Sequence, residues 1–379
     1  MARPPHILIA GGGTGGHVYP AIAIADAIQA ARPEARVIFA GTEDRLEARA
    51  VPEAGYALHP ITVSGFQRSL SVENLTFPVK LLQGLWDSWK LVGALDPDVA
   101  VGTGGYVSGP VLFAAWLRGC PLLVQEQNAY AGVTNRLLGL VASRIHAAFP
   151  EAQDDLPAGR TTITGNPVRR SLTDTSTDAA RRALGLPADA RVLLVFGGSL
   201  GSKALNDAME AHLPEILDAG GADERPVHVI WQTGSRYVDD ITDRLQGTDL
   251  EGHPRLWIRE YIDRMDRAYA AADLALCRAG ALTCSELLVT GTPAVLVPSP
   301  NVVADHQTKN ARSMERTGAA RMLPETDLDD RIVPMIRDLL TDDAARTDMA
   351  AAARDAAQPD AAEIIARDVL ALADAGRPT

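Results

Sequence analysis

The sequence predicts an α/β protein of two similar domains, each built on a parallel β-sheet. Short apolar segments with strand character alternate with amphipathic helical segments along the chain, the pattern of parallel sheets whose connections are helices. Both halves also open on a strand, a glycine-rich turn and a long helix. The 379 residues, of which 46% are hydrophobic, suffice for two separate cores.

The first half contains five apolar segments with strand character. These predicted strands are His6–Ala10, Arg36–Ala40, Val99–Gly102, Pro121–Gln125 and Arg144–Ala148. Helical patterns between them are clearest at Tyr19–Ala31 and Gly109–Arg118.

The second half repeats this alternation with six predicted strands. They are Arg191–Phe196, Val227–Trp231, Arg255–Arg259, Asp273–Cys277, Ala294–Val297 and Ala320–Leu323. The predicted helices between and after them are Ser202–Asp218, Met265–Ala271, Ala281–Thr290 and Asp305–Thr317.

A segment containing glycine and proline, Ile163–Arg170, is the best candidate for a linker. We therefore predict a first domain over residues 1–164, a second over 165–345, and a helical tail over 346–379 that packs back on the first domain. The polar stretch Ser171–Ala190 is predicted to form a helix before the second domain's first strand.

Composition excludes several classes of protein. The formal net charge of −12 argues against nucleic acid as a partner. No apolar run approaches the ~20 residues of a membrane-spanning helix, and the stretch Ile7–Ala10 is too short for a signal-peptide core, so we expect a cytoplasmic protein. The three cysteines and eight histidines show neither disulfide nor metal-ligand spacing, so we expect buried thiols and no metal.

Lysine is scarce in this acidic chain. The lysines are Lys80, Lys90, Lys203 and Lys309, and the other basic residues are arginines. Adaptation to high salt and a GC-rich genome both explain such a composition, and activity measured against salt concentration separates them.

The first glycine-rich turn, Gly11–Gly16, lies between a strand and a helix and is followed by His17. Its glycines let a ligand approach the backbone, and the helix N-terminus offers N–H groups and the positive end of the helix dipole. A dinucleotide site is an alternative, to which the second strand's end, Phe39–Glu43, adds little support. A neutral His17 is a candidate general base, and a capping or solvent-facing histidine is the alternative.

A second such turn, Gly197–Gly201, makes a phosphate site much more specific than one turn alone. Ser199 and backbone amides there are candidates to bind phosphate oxygens. The segment Cys277–Glu286 contains a third strand–turn–helix junction, whose first helical turn suits a diphosphate. Glu286 is placed to accept hydrogen bonds from a ribose diol, or it merely complements the helix dipole.

Polar residues also follow a predicted strand in Gln125–Asn128. The segment Val101–Tyr106 is another glycine turn at a strand end, and Asp305–Gln307 opens a predicted late helix. The sequence Asp96-Pro97-Asp98 resembles the D-x-D metal motif of some glycosyltransferases. It precedes its strand, at the opposite end of the sheet from the glycine turns, so we interpret it as a turn.

Six segments, taken together and in order, resemble the MurG family of glycosyltransferase family 28. They are Gly11–His17, Gly102–Pro110, Glu126–Asn128, Gly165–Arg169, Gly197–Gly201 and Arg278–Glu286. The resemblance covers essentially the whole chain. It implies the GT-B fold, with two Rossmann-like domains whose parallel sheets face a deep interdomain cleft, and an inverting enzyme that needs no metal or other cofactor.

The resemblance also implies substrate-binding residues in both domains. In the first domain they are Thr14, Gly15, Gly16 and Asn128, with Gly104, Gly105 and Tyr106 as possible acceptor contacts. In the second domain they are Arg169, Ser199 at the diphosphate, Ile262 by the uracil, Ala281, Leu282, Thr283, Cys284, Ser285 and Glu286 at phosphate and ribose, and Gln307 at the sugar. His17 matches the family's candidate catalytic histidine.

The implied reaction transfers N-acetylglucosamine from UDP-GlcNAc to the 4-hydroxyl of undecaprenyl-diphosphate-linked muramyl pentapeptide, forming lipid II. Such an enzyme acts in peptidoglycan synthesis, and so in cell wall biogenesis, cell shape and cell division. It is expected to be peripheral on the cytoplasmic face of the cell inner membrane.

The stretch Leu75–Lys90 combines leucines, Phe77, Trp86, Trp89 and two lysines. An ordinary core helix explains this composition from sequence alone, but a lipid acceptor favours a membrane-binding surface, with Trp116 and Arg118 nearby.

Four other functions share part of this pattern. A UDP-GlcNAc 2-epimerase or a glycolipid synthase acting on diacylglycerol would have a similar donor site. A nicotinamide-dependent oxidoreductase leaves the second glycine turn unexplained. A non-catalytic nucleotide-sugar sensor has no need of His17.

Overall fold

The computed structural model describes residues 3–63, 73–220, 225–302 and 305–375, with the backbone alone over 73–81. The chain divides into two compact units. The first comprises Met1–Val168 and Pro359–Thr379, and the second comprises Arg169–Gln358.

The first unit is built on a seven-stranded parallel sheet with the order β3-β2-β1-β4-β5-β6-β7. Its strands are β1 His6–Gly11, β2 Arg36–Gly41, β3 Ala57–Pro60, β4 Val99–Gly104, β5 Leu122–Glu126, β6 Arg144–Ala147 and β7 Thr161–Ile163. The five predicted strands are present, and the two outermost, β3 and β7, were not predicted. These edge strands have only three or four residues each and bury few side chains, so they carry little apolar pattern.

Helices cover both faces of this sheet. They are α1 Gly15–Ala31, α2 Glu47–Glu53, α3 Glu73–Leu95, α4 Gly105–Leu117, α5 Val133–Gly139 and α14 Ala361–Ala375. On one face α1 and α14 pack together, with Ile24, Ile28, Ile365 and Val369 buried in one apolar cluster. On the other face α3 and α4 pack together over Leu8, Ala100 and Leu122.

The second unit is built on a six-stranded parallel sheet with the order β10-β9-β8-β11-β12-β13. Its strands are β8 Arg191–Phe196, β9 Val227–Gln232, β10 Leu256–Arg259, β11 Leu274–Cys277, β12 Ala294–Leu296 and β13 Ala320–Met322. All six were predicted to within one residue at each end. Each pairs in parallel register with its neighbours, so the strand ends that precede the glycine turns share one edge.

The helices of the second unit are α6 Thr177–Leu184, α7 Lys203–Leu217, α8 Val238–Leu245, α9 Met265–Ala271, α10 Ala281–Thr290, α11 His306–Thr317, α12 Leu328–Thr341 and α13 Asp343–Ala356. The prediction of one helix over Ser171–Ala190 is wrong, because a short 3₁₀ turn and α6 replace it. Ser176 caps the start of α6, and Gly185 ends it in the left-handed conformation at φ +69°.

The predicted tail from residue 346 belongs partly to each unit. Helix α13 packs against α10 and α12 of the second unit, whereas α14 packs against α1 of the first. The chain leaves the second unit at Gln358, between these two helices.

Because α14 contributes to a core far from it in sequence, we expect Ile365→Ala to destabilise the first unit. Ile365 is fully buried, so its truncation leaves a cavity that costs about 2–5 kcal/mol of unfolding free energy. Urea unfolding followed by circular dichroism measures the loss. The exposed neighbour Arg367 provides the control, since Arg367→Ala changes stability by less than about 0.5 kcal/mol. Equal stabilities for the two variants would contradict the docked position of α14.

Candidate active site

His17 lies in the first turn of α1 and is held to the end of β4 by two contacts with Thr103. Its ring Nδ1 lies 2.9 Å from the Thr103 carbonyl oxygen, and the Thr103 hydroxyl donates to the His17 carbonyl at 2.8 Å. A bulge in β4 creates this arrangement, because Ala10 pairs with Gly102 but Gly11 pairs with Gly104. Thr103 is the extra residue, and bulges re-aim side chains in this way.

The same ring nitrogen also lies 2.9 Å from the side-chain oxygen of Gln127. Gln127 follows the end of β5 and is buried with Gln125 and Asn166. Gln125 donates to the Asn166 side chain, and Asn166 donates to the Gln127 carbonyl, both at 3.0 Å. Gln127 thus connects the imidazole to a buried network of uncharged amides.

Gly104 and Gly105 are required next to this ring for steric reasons. Both have positive φ, at +100° and +80°, where L side chains are strained. A Cβ on Gly104 would lie 2.8 Å from Nδ1 of His17, and one on Gly105 would collide with the Gly12 carbonyl. Tyr106 is 59% exposed. Acceptor binding by these three residues stays a prediction.

A buried carboxylate, Glu47 of α2, fastens the first glycine turn. It accepts hydrogen bonds from the Gly13 N–H at 2.9 Å and from the Thr42 N–H and hydroxyl at 3.2 and 2.8 Å. An anion of the protein itself therefore occupies an N–H group that a dinucleotide phosphate would need. This contact argues against the oxidoreductase alternative.

A second buried carboxylate, Glu126, organises the loop after β5. One oxygen accepts from the Asn128 backbone N–H at 2.9 Å, and the other accepts from Gly132 at 3.0 Å and from the Asn135 side chain at 2.8 Å. Asn128, which was predicted to contact the nucleotide-sugar donor, is therefore held by Glu126. Thr14 is exposed at the N-cap of α1, and Gly15 and Gly16 form its first turn.

In the second unit, the glycine turn after β8 needs its glycines to close tightly. Gly198 and Gly201 have φ of +91° and +76°, and a Cβ on Gly201 would overlap the Thr233 carbonyl. Ser202 caps α7, and Ser199 is exposed at the tip of the turn. Ser199, the predicted phosphate-binding serine, therefore lies at the exposed tip of a tight glycine turn directly before α7.

Gln232, at the end of β9, connects this turn to Ile262. Its amide donates to the Gly198 carbonyl at 3.0 Å, and its oxygen accepts from the Ile262 N–H at 2.9 Å. The side chain is buried. Gln232 thereby links the predicted diphosphate turn to the predicted uracil segment.

Arg278, directly after β11 in the segment Cys277–Glu286, forms hydrogen bonds and an ion pair with other residues of the protein. It donates to the Ser202 hydroxyl at 2.9 Å and to the Val297 and Pro298 carbonyls at 3.2 Å, and it forms an ion pair with Glu325. It thus fastens the turns after β8 and β12 to the start of α10.

The start of α10 carries further residues that were predicted to contact the nucleotide sugar. Gly280 precedes the helix and offers no capping side chain, and no acidic residue lies in the first turn. Ala281, Cys284 and Ser285 are buried, while Leu282 and Thr283 are half-buried. A helix N-terminus without its own cap is suited to an anion such as a diphosphate.

Glu286, one turn further on, is paired with Tyr269 of α9. The tyrosine hydroxyl donates to the carboxylate at 2.9 Å. Burial raises the pKa of Glu286, while this hydrogen bond and the positive charge of Arg169 act to lower it. Burial, together with the Glu286 charge, also raises the pKa of the Tyr269 hydroxyl, which stays protonated as the donor.

Gln307 lies at the start of α11, where its side-chain oxygen accepts from the Ser299 N–H at 2.8 Å. The next turn of α11 supplies Asn310, which donates to the Ala279 carbonyl at 3.2 Å. These contacts bring the loop after β12 and the start of α11 to the turn before α10.

Two other interpretations of the sequence concern Asp96, Asp98 and the cysteines. Asp98 accepts from the His6 N–H at 2.8 Å at the amino end of β1, so the D-x-D sequence lies away from the glycine turns. Cys277 and Cys284 are buried, and burial raises the pKa of the Cys284 thiol to about 12. Both are free thiols that act as packing residues, whereas the free thiol of Cys120 is only partly buried, contrary to the expectation for that residue.

The two units match models of the two domains of one known family. A model of the glycosyltransferase family 28 N-terminal domain matches residues 7–147, and one of the family's C-terminal domain matches residues 192–365. The chain belongs to glycosyltransferase family 28. A family 28 relative from Salinibacter ruber, named UDP-N-acetylglucosamine--N-acetylmuramyl-(pentapeptide) pyrophosphoryl-undecaprenol N-acetylglucosamine transferase, is 66% identical over 372 residues, which are 98% of each chain.

Solved structures agree with the family 28 assignment. The crystal structure of Acinetobacter baumannii MurG matches with a TM-score of 0.73 at 32% identity, over 97% of this chain and 100% of that one. The predicted α/β fold of GT-B type, with two parallel sheets, is confirmed. A UDP-GlcNAc 2-epimerase from Neisseria meningitidis matches with a TM-score of 0.67 at 12% identity over 97% of this chain and 100% of that one, which shows a shared fold alone.

Several residues of the candidate sites were not predicted from the sequence. They are Glu47, Gln232 and Tyr269, while Thr103 and Gln127 were noted only as members of longer segments. Each is a buried or half-buried polar residue near a strand end or in a helix, and each has a partner on a different element of the fold. In the sequence, such a position is visible only as a polar residue at the end of an otherwise apolar strand.

The pairing of Tyr269 with Glu286 predicts how UDP binding depends on pH. If the Glu286 carboxylate accepts the ribose hydroxyls, UDP affinity falls as the pH drops through the pKa of Glu286. Tyr269→Phe removes a hydrogen bond that lowers this pKa, so the loss of affinity begins at a higher pH than in the wild type. Isothermal titration calorimetry across the acidic-to-neutral range measures the shift.

The matched control is Tyr56→Phe in the first unit, where the tyrosine hydroxyl donates to Asp26 at 2.6 Å. This variant also loses a tyrosine–carboxylate hydrogen bond, but we expect its UDP binding to follow the wild-type pH profile. Identical profiles for Tyr269→Phe and the wild type would refute the proposed link between Glu286 ionisation and UDP binding.

Proposed function

We propose that this chain transfers N-acetylglucosamine from UDP-GlcNAc to the 4-hydroxyl of lipid-linked N-acetylmuramyl pentapeptide, forming lipid II. One observation carries the proposal: identity of 66% over 98% of each chain with a relative named for this reaction. Because the match covers nearly the whole chain, it includes the candidate sites of both units. The two sites described above contain chemistry that suits the reaction.

The second unit has the features of a nucleotide-sugar site. The glycine turn after β8 and the uncapped start of α10 supply N–H groups and helix dipoles for a diphosphate, and Glu286 supplies an acceptor for ribose hydroxyls. Ile262, Ser199, Arg169 and Gln307 complete the proposed donor set. During transfer, the same N–H groups stabilise the negative charge that grows on the departing UDP.

The first unit supplies the proposed base. An inverting transfer is a single displacement, in which the muramyl hydroxyl attacks the anomeric carbon as UDP leaves and a β-1,4 linkage forms. The hydroxyl must lose its proton, and His17 is the residue we assign to accept it. Thr14 at the N-cap of α1, and Gly15 and Gly16 directly before His17, are proposed substrate contacts, as is Asn128.

An exposed apolar surface on α3 and α4 supports a membrane-bound acceptor. Its described members are Leu82, Trp86, Trp89, Phe113, Trp116 and Leu117, which are 38–68% exposed. The side chains of Leu75, Phe77, Val79, Lys80 and Leu81 lie outside the described residues. Contiguous exposed apolar residues on a protein surface mark an interaction site.

Basic groups border this apolar surface. Lys90 lies over the Trp86 ring at 5.0 Å, and Arg118 over the Trp89 ring at 3.9 Å. Aromatic rings combined with cations suit the headgroup region of a membrane, and we propose peripheral binding to the cytoplasmic face. Within the described residues, no helix is long and apolar enough to cross a membrane. Cell wall biogenesis, and through it cell shape and division, follow from the proposed reaction.

The direct test is incubation with UDP-GlcNAc and a short-chain lipid-linked muramyl pentapeptide. We expect a lipid-linked disaccharide and one UDP released per disaccharide formed. A 2-epimerase would instead interconvert the sugar without net UDP release, and a glycolipid synthase would use diacylglycerol in place of the muramyl acceptor. A folded, UDP-binding protein that forms no disaccharide would overturn the proposal.

The assignment of His17 as the base predicts a selective loss of turnover. His17→Ala is expected to lower kcat by about 10²- to 10⁴-fold, because no other group replaces the proton acceptor. UDP affinity is expected to stay at the wild-type value, since the residues proposed to bind the uracil, ribose and diphosphate lie in the second unit. His6→Ala, at the other end of the same β1–α1 segment, is the control and should retain activity. Near-normal turnover in His17→Ala would remove the base role.

The apolar surface predicts that membrane binding depends on its tryptophans. Trp86→Ser combined with Trp89→Ser is expected to weaken binding to phospholipid vesicles about tenfold or more, because two half-exposed rings no longer enter the headgroup region. Vesicle co-sedimentation measures the binding. Trp257→Ser, in the second unit, controls for the loss of a tryptophan and should bind as the wild type does. Unchanged sedimentation of the double variant would count against the surface.

A further inference from the structure

The hydrogen bonds at His17 determine which ring nitrogen carries the proton. Nδ1 lies 2.9 Å from the Thr103 carbonyl oxygen and 2.9 Å from the side-chain oxygen of Gln127. A carbonyl oxygen only accepts hydrogen bonds, so Nδ1 must be the donor. In the neutral ring, the proton is then on Nδ1 and the lone pair is on Nε2.

The orientation of the Gln127 amide is itself determined by its surroundings. Its Nε2 donates to the Thr103 and Gln125 carbonyl oxygens and lies against the Gln125 side-chain oxygen. These partners accept hydrogen bonds, so the amide nitrogen must face them and the amide oxygen must face His17. The reversed amide would place an oxygen against backbone carbonyl oxygens.

We infer that Gln127 is a positioning residue for the transfer reaction, which together with the Thr103 carbonyl keeps the proton of His17 on Nδ1 and leaves Nε2 as the base. The inference rests on the proposed function, because it concerns how His17 accepts the proton of the acceptor hydroxyl. A histidine in water prefers the opposite tautomer only slightly, so two buried acceptors at Nδ1 are sufficient to reverse the preference.

The choice of an amide instead of a carboxylate has a chemical consequence. Gln127, Gln125 and Asn166 are each at most 1% exposed and carry no charge. The charged groups of the neighbouring elements, Glu47 of α2 and Glu126 of β5, accept hydrogen bonds from the backbone N–H groups of Gly13 and Asn128. The imidazole is therefore oriented by acceptors that carry no charge.

The tautomer can be observed without any enzymatic activity. In the full chain labelled with ¹⁵N-histidine, long-range ¹H–¹⁵N correlation spectra distinguish protonated from unprotonated ring nitrogens, and His17→Gln assigns the signals of His17. At a pH where the ring is neutral, we expect a protonated Nδ1 and an unprotonated Nε2. A protonated Nε2 in the wild-type protein would overturn the inference, whether or not the protein makes lipid II.

Variants of Gln127 test its contribution. Gln127→Met keeps the length of the side chain but removes the acceptor, so we expect more of the Nε2-protonated tautomer and a kcat lowered by about 10- to 100-fold, with the KM for UDP-GlcNAc unchanged. Gln153→Met, at an exposed position of the same unit, is the control for the substitution itself. If Gln127→Met keeps the wild-type tautomer and kcat, Gln127 has no positioning role.

Gln127→Glu restores the acceptor and separates positioning from simple packing. We expect the Nδ1-protonated pattern to be retained. The new carboxylate stabilises the protonated, inactive ring, so the acid limb of the kcat profile moves to higher pH. A packing role alone predicts the same tautomer in Gln127→Met as in Gln127→Glu. If His17→Ala were fully active while the spectra showed a protonated Nδ1, the base assignment would fail and the tautomer assignment would stand.

Discussion

Parallel strands impose the constraint on which both units depend. Every strand in the two sheets runs in the same direction as its neighbours, so each strand-to-helix turn reaches the same edge of its sheet. These turns expose backbone N–H groups that need an acceptor, and a fold of this type therefore concentrates hydrogen-bond donors at one edge. What accepts those hydrogen bonds decides the chemistry of each unit.

The two units satisfy this constraint in different ways. In the first unit, buried carboxylates of the protein accept the hydrogen bonds: Glu47 at Gly13 and Glu126 at Asn128 and Gly132. In the second unit, neutral or cationic groups hold the corresponding turns, namely Ser202, Gln232 and Arg278. The N–H groups of Gly13, Asn128 and Gly132 in the first unit are thus already bonded to carboxylates of the protein itself.

Glycine has different roles at the two edges. In the first unit, Gly104 leaves room for an imidazole, which a side chain there would displace. In the second, Gly201 and Gly234 let two turns pack backbone against backbone. The turns Gly11–Gly16 and Gly197–Gly201 both read as phosphate-binding loops in the sequence, and each has an exposed tip, at Thr14 and at Ser199.

The sequence by itself determined the fold class, every central strand and the bounds of α7, α9, α10 and α11, because these follow from local periodicity and from glycine and capping residues. It also indicated His17, Ser199 and Glu286 as candidates through their positions after strands. Only the tertiary structure decided what holds them. His17 meets Thr103 and Gln127 across 86 and 110 residues, and Gly13 meets Glu47 across 34. Such contacts depend on strand order and on one bulge in β4, neither of which leaves a periodic signal in the chain.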